Sequence, residues 1–302
     1  MQAVDGVLLI DKPEGMTSHD VVQGVRRKLG VRRVGHAGTL DPMATGLLMI
    51  CVGRVTRLLE YLGQGDKEYS GTVVFGIGTD TDDAEGTVVA QASASDLDLA
   101  AVREAARQLT GEIRQRPPQY SAVHVDGRRA YHLARQGKKV EIPERTVRVE
   151  SFTLDDFRRE GDVAVARFHV RCSKGTYVRA LCRDLGQRLG VPAHMRSLRR
   201  LAIGSARVED AISFGDWMAS EDPALHLRDP LLYLDGLPMW QPPREVLERL
   251  ANGQAVELDD RMSLTPGDLV LVIHAGAVAA VGEVVDRQPA AVRPKKVFWK
   301  RG

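Results

Sequence analysis

Gly35-His36-Ala37-Gly38-Thr39-Leu40-Asp41-Pro42-Met43-Ala44-Thr45-Gly46-Leu47-Leu48 sets one carboxylate in a glycine-rich stretch that runs straight into an apolar segment, 47–52. Pro42 biases Asp41 toward an extended backbone. Gly35 and Gly38 let the chain turn sharply and allow another segment to approach closely. A phosphate-cradling loop is disfavoured, because the Gly-Lys-Ser/Thr ending of such loops is missing. A carboxylate presented in this way can be a nucleophile, a base, a metal ligand or a turn-forming side chain, and the residues alone leave all four open.

Working outward, 6–10 is a short apolar run ended by Lys12-Pro13-Glu14-Gly15, which predicts a strand and a turn. A helix should follow, capped by Thr17 or Ser18, with Val21, Val22 and Val25 as its apolar stripe, Arg26, Arg27 and Lys28 in its last turn, and Gly30 as its stop. We read 31–41 as loop, 68–75 as a strand and 96–109 as an amphipathic helix. Two strands, 146–157 and 163–172, precede a helix opened by Gly175-Thr176-Tyr177 and running through 189, and 197–203 closes the larger unit. The acidic stretch 78–86 is expected to be a solvated turn. It fails the calcium-loop spacing, since counting from Asp80 puts Ala84 at the fifth position and Glu85 at the sixth. The proline-rich stretch 237–243 marks a domain boundary, with 1–236 before it and 237–302 after it. Beyond it, 269–273 and 277–285 read as the hairpin of a small β module.

The composition is that of an ordinary globular chain: 302 residues, 43% hydrophobic and 27% charged, with 42 Lys+Arg against 40 Asp+Glu. Whole-chain charge therefore does not announce a nucleic-acid binder, and local clustering must. The segment 114–143 interleaves Tyr120, His124, Tyr131 and His132 with Arg114, Arg116, Arg128, Arg129, Arg135, Lys138 and Lys139. The segment 171–200 holds eight basic residues against Asp184 alone, and the tail adds Arg293, Lys295, Lys296, Lys300 and Arg301. Such clusters suit phosphate contacts and base stacking, with the acidic residues of 80–98 gathered on another part of a polarised surface. Three cysteines without C-x-x-C spacing suggest neither a disulfide framework nor a zinc ribbon, and no stretch has the length of a membrane span, so the expected compartment is the cytoplasm.

The aspartate segment resembles the catalytic motif of the TruB-type tRNA pseudouridine synthases. The same pattern continues in order through Asp11-Lys12-Pro13 with Gly15 and Ser18-His19, Lys67-Glu68-Tyr69, Gly78-Thr79-Asp80-Thr81, the stretch Gln115 to Ala122, and Gly175-Thr176-Tyr177-Val178-Arg179. It covers roughly 6–205. The remainder resembles, more weakly, the small PUA RNA-binding module that ends many members of the family.

The resemblance implies an α+β catalytic domain on a mixed, mostly antiparallel sheet, with 114–143 as an RNA-gripping insertion and a C-terminal β-rich PUA-like accessory. It implies isomerisation of uridine-55 in the tRNA T loop, with the base flipped out of its stack. Asp41 would be the nucleophile, ionised at neutral pH because a free aspartate has a pKa near 3.9. Arg179 would oppose any rise of that pKa on burial. Tyr69 would stack on the target base, Tyr177 and Leu198 would complete the pocket, and His36 would fill the space the flipped nucleotide leaves. Lys12 and Pro13 would shape the pocket floor. No cofactor or metal is implied, since isomerising a nucleoside needs neither, and the partner would be the tRNA T arm, engaged by a monomer with no obligate protein partner. Two alternatives share the motif: a guide-RNA-dependent synthase subunit and a tRNA-folding chaperone. A glycosidase would need a second catalytic carboxylate beside the first, and no motif supplies one.

Overall fold

In the computed structural model, which describes residues 4–121, 123–125, 128–129, 141–259 and 262–299, the chain begins with β1 (Gly6–Lys12), α1 (Ser18–Leu29), β2 (Val34–His36) and β3 (Thr45–Val52). There follow β4 (Lys67–Phe75), β5 (Ile77–Thr79), β6 (Val88–Gln91), α2 (Leu99–Arg107), β7 (Gly111–Gln115) and the short pair β8 (His124–Val125) and β9 (Arg128–Arg129). A long hairpin of β10 (Arg145–Glu160) and β11 (Val163–Cys172) leads into α3 (Val178–Arg188) and β12 (Ala193–Ile203). Next come β13 (Ala206–Arg207), β14 (Ile212–Ser213) and α4 (Phe214–Ala219). The last segment holds β15 (Met239–Trp240), α5 (Arg244–Ala251), β16 (Val256–Glu257), β17 (Leu269–His274), β18 (Ala277–Val285) and β19 (Ala291–Val297).

The main sheet has the order β14-β1-β3-β12-β4-β11-β10-β7, with β2 added to β3 and β13 to β12. Only the β1–β14 and β3–β12 pairings are parallel, so the sheet is mixed and mostly antiparallel, as expected. Its centre is apolar on both sides. Along β1 and β3, Leu8, Ile10, Leu48, Ile50 and Val52 enter the core beneath α1, whereas Val7, Leu9, Leu47, Met49 and Cys51 enter a second core on the opposite face. That two-sided burial is why these strands read as continuous apolar runs rather than as alternations.

The structure departs from the sequence reading at β2 and at the start of β12. The loop expected at 31–41 contains β2, whose Val34, Gly35 and His36 pair with Val52, Cys51 and Ile50. Three residues with a glycine at their centre carry too little periodicity to announce a strand. Helix α1 is capped by Thr17, one of the two expected caps, in a reciprocal capping box with Asp20, leaving Ser18 for another task. Strand β12 begins four residues earlier than expected, at Ala193, because Ala193, His194 and Met195 pair with Phe75, Val74 and Val73 of β4. Of the basic insertion, Tyr131, His132, Arg135, Lys138 and Lys139 lie outside the described residues, as do Lys300 and Arg301 of the tail.

The five-stranded sheet β15-β17-β18-β19-β16 has its own core around Trp240, Leu247, Val270 and Val292. Its other face is not free. Leu271, Ile273 and Val281 join Leu9, Leu47 and Met49 in the second core, and Lys296 donates to the carbonyl of Arg57 at 2.7 Å. The small sheet therefore covers the back of the main one. Truncation after residue 236 should uncover that apolar face and give an aggregating or destabilised protein, with a clearly lowered urea midpoint. A truncated chain as stable as the full one would show that the shared core contributes little.

Candidate active site

Asp41 lies in the loop between β2 and β3, and that loop is held at nearly every carbonyl. The Ser18 hydroxyl accepts from the Leu40 amide at 2.9 Å and donates to the Leu40 carbonyl at 3.1 Å. The Pro42 carbonyl accepts from the Gly15 amide at 2.9 Å and from Lys12 Nζ at 3.2 Å. Lys12 also donates to the carbonyls of Pro13 and Met16, at 2.9 and 2.7 Å. Arg200, equally inaccessible, donates to the carbonyls of Leu47, Gly38 and Thr39 at 2.7, 3.0 and 3.3 Å. Burial pushes the pKa of both cations down, and the charge of Asp41 works against that shift at Lys12. Where the loop enters β3, Gly46 has φ +96° and a Cβ there would meet the Arg200 carbonyl oxygen at 2.3 Å, so only glycine fits.

Asp41 is paired. Arg179, on the first turn of α3, donates through Nε to Asp41 Oδ2 at 3.1 Å; its side chain is 7% exposed and that of Asp41 38%. The other guanidinium nitrogens reach Asp83 Oδ2 at 3.1 Å, the Thr81 carbonyl at 2.9 Å and the Tyr120 carbonyl at 3.0 Å. Asp83 in turn accepts from Thr81 Oγ1 at 2.6 Å and from the Glu85 amide at 3.1 Å. One turn further along α3, Arg183 pairs with Asp82 at 2.8 Å and with Asp184 at 2.8 Å. Arg179 thus has protein partners at all three guanidinium nitrogens and is not presented as a phosphate contact.

These contacts correct the reading of 78–86 as a solvated turn: Asp82 and Asp83 are buried, and they face the basic residues of α3 rather than a separate acidic surface. The basic run of 171–200 is correspondingly reduced, since Arg199 is bound to Asp11 at 2.6 and 2.9 Å, Arg171 to Glu150 at 2.9 Å, and Arg200 is buried. Sequence reasoning missed the role of Asp82 and Asp83. The available signal was the i, i+4 spacing of Arg179 and Arg183, which presents two guanidinium groups on one helix face and calls for two carboxylates opposite.

A cavity of about 330 Å³ opens beside this pair, lined by Asp41, Lys67, Tyr69, Tyr177, Arg179 and Leu198 among others. Tyr69 and Leu198 are 6% and 8% exposed and form the apolar wall. Tyr69 belongs to the core as well as to the cavity, and burial raises its phenol pKa, opposed by Arg200, so the hydroxyl stays protonated at neutral pH. Tyr177 caps α3; its amide donates to Gln115 Oε1 at 2.8 Å and its ring lies 4.6 Å from the Arg145 guanidinium carbon. His36 is the exception: it ends β2 outside the cavity lining, its Nδ1 is buried without a hydrogen-bond partner among the described residues, and burial with the charge of Arg200 lowers its pKa. A larger cavity, about 570 Å³, lies at the junction of the two sheets and holds none of the motif residues. No cluster of His, Cys, Asp and Glu suited to a metal occurs among the described residues.

The same fold is found in an H/ACA RNP bound to a substrate RNA containing 2′-deoxyuridine, where a chain 23% identical superposes with a TM-score of 0.73 over 99% of this chain and 86% of that one. A Cbf5-Nop10-Gar1 complex gives 26% identity and a TM-score of 0.73 over 98% and 85%. The class is that of the pseudouridylate synthases, which are isomerases. Within it, the profile of the TruB family pseudouridylate synthase N-terminal domain matches residues 26–178, and that of the tRNA pseudouridylate synthase B C-terminal domain matches 179–232. Relatives include the tRNA pseudouridine synthase B of Geobacillus thermodenitrificans, 40% identical over 98% of this chain and 100% of that protein. That of Thermobifida fusca is 52% identical over 72% and 75%. The chain belongs to the TruB family.

The buried pair makes a stability prediction. Asp83→Ala removes the buried one of the two carboxylates that balance Arg179, leaving it only the more exposed Asp41, and should destabilise the protein by about 3 kcal/mol. Arg107→Ala, which removes the exposed Arg107–Glu104 pair, should change stability by less than about 0.5 kcal/mol. Urea unfolding of both variants checks this, and equal effects would contradict the assignment of Arg179 as a buried hub.

Proposed function

We propose that this enzyme converts uridine-55 in the T loop of tRNA to pseudouridine, acting alone on its RNA, with Asp41 as nucleophile. The observation that carries the reading is the half-exposed Asp41 carboxylate, ion-paired to a buried arginine at the lip of a cavity large enough for a nucleoside. A carboxylate needs no partner base to be nucleophilic at neutral pH. Arg179 fixes its direction and stays beside it as a counter-charge when an incoming base displaces water.

A uridine within the folded T loop is inaccessible, so the base must leave its stack. Tyr69 then supplies a ring against which it lies and Leu198 the opposing apolar wall, while Tyr177 and Arg145 stack at the rim. His36, outside the cavity lining, is free to fill the space vacated in the RNA. The insertion 114–143 and the small sheet beyond residue 236 are the RNA-gripping elements of this reading, the latter a PUA-like module. The setting is cytoplasmic, where tRNA is found; no helix among the described residues is long and apolar enough to cross a membrane.

The test is incubation of purified protein with an unmodified tRNA transcript, no guide RNA added, and mapping of pseudouridine by chemical labelling. Product at the T-loop uridine is expected. Asp41→Asn should abolish it while tRNA affinity stays within about tenfold, because phosphate contacts dominate affinity. Substantial turnover by this variant would remove Asp41 from the role of nucleophile.

A further inference from the structure

Strand β4 is paired on both sides, Lys67 standing opposite Cys172 of β11 and Ile203 of β12. Its side-chain direction is therefore set by the pleat, and it shares a face with Tyr69 two residues on. Both line the cavity beside Asp41. Lys67 is 8% exposed, and a Cβ on Gly38 of the aspartate loop would lie 3.7 Å from its Cε.

Four cations line this cavity: Lys67, Arg145, Arg179 and Arg200. Arg179 is held by two carboxylates, Arg200 by three loop carbonyls, and Arg145 lies over the Tyr177 ring and donates to the Gly175 carbonyl. Lys67 is different. Among the described residues its Nζ makes one hydrogen bond, to the Gly63 carbonyl at 3.2 Å, and no ion pair. An ammonium carries three donors, and keeping one buried without a counter-charge costs stability. Asp66, whose charge acts on Lys67, is engaged by Arg148 at 2.7 Å. Burial, helped by the charges of Arg200 and Lys174 and opposed by Cys172 and Asp66, brings the Lys67 pKa down to about 8. Asp41 lies on the same cavity, held by Arg179.

The reaction supplies the missing charge. Isomerisation breaks N1–C1′ with the electron pair left on the uracil, spread over N1 and the carbonyl oxygens. C5 then bonds to C1′ and loses its proton while N1 gains one, so the step balances without a co-reactant. We propose that Lys67 stabilises the anionic uracil while it is detached from the ribose, whichever bond Asp41 makes meanwhile; this rests on the functional reading above. A preorganised cation aimed at charge that develops only in the reaction lowers the barrier without tightening ground-state binding.

The test is single-turnover kinetics of full-length protein on tRNA. Lys67→Met should slow the reaction by about 100-fold with tRNA affinity nearly unchanged, and Lys67→Arg, which keeps the charge, should stay within about tenfold of wild type. The charged form is the active one, so the wild-type rate should fall as pH rises past the lysine's pKa. Lys67→Arg should extend the plateau to higher pH, and Lys67→Met should be flat across that range. On tRNA carrying 5-fluorouridine at the target, whose fluorine makes the uracil a better leaving group, the Lys67→Met penalty on consumption of that nucleotide should shrink. Equal losses in the two variants, a high-pH fall that persists in Lys67→Met, or the same penalty on both substrates would overturn the proposal. A wild type that makes pseudouridine, with Asp41→Asn inert and Lys67→Met unimpaired, would overturn this inference alone. A wild type that makes none would overturn the functional reading and this inference with it.

Discussion

The loop that carries Asp41 has carbonyl groups but no strand partner for most of them, and two inaccessible cations provide the donors instead. Lys12 reaches back from the end of β1 to Pro42, and Arg200 reaches across from β12 to Gly38, Thr39 and Leu47. Buried carbonyls without donors would be costly, and buried cations without acceptors more so. Each solves the other's problem only in one geometry. The parallel β3–β12 pairing that seats Arg200 beside Gly46 is therefore tied to the position of Asp41. Displace either cation and the loop, the strand crossing and the cavity wall lose their reference together.

A division of labour among arginines follows. Arg200 is structural to the loop, Arg183 fastens the acidic turn to α3, and Arg179 connects that turn to Asp41. The guanidinium's planar set of donors is suited to this bridging, which a lysine's point charge is not. Lys67 carries the complementary property: a buried charge with few protein partners is poised for a partner that appears during the reaction. On the opposite face of the sheet, the small C-terminal module completes the packing and so supports the strands from which these side chains project.

Much of this was legible in the chain. The apolar runs of β1 and β3, the cap and stop of α1, the β10–β11 hairpin and the β17–β18 hairpin all carry local signals of period, cap and turn chemistry. The aspartate loop was recognisable because its motif resembles that of the TruB family; its glycines and Pro42 by themselves left the role of Asp41 open. What stayed hidden depends on long-range pairing. Nothing local tells Asp83 that its partner is Arg179, 96 residues on, so an acidic turn and a basic helix read as two exposed surfaces when they are one buried contact. β2 was missed for a related reason: its three residues are a strand only because β3 lies beside them. His36, assigned through its motif to the space a flipped nucleotide leaves, ends β2 outside the cavity lining. Lys67 was visible as a residue of a motif, but its burial and lack of a counter-ion appear only once β11 and β12 close over it.

The central claim is that a base removed from the RNA stack lodges between Tyr69 and Leu198 with its ring against the Asp41 carboxylate. The most direct measurement is a crystal structure of the protein with a T-arm stem-loop carrying 5-fluorouridine at the target position. The account predicts the fluorinated nucleotide everted into the cavity lined by Asp41, Lys67, Tyr69 and Leu198, with Arg179 still bound to Asp83. A nucleotide that remains stacked in its loop, or RNA seated on a face remote from Asp41, would contradict it.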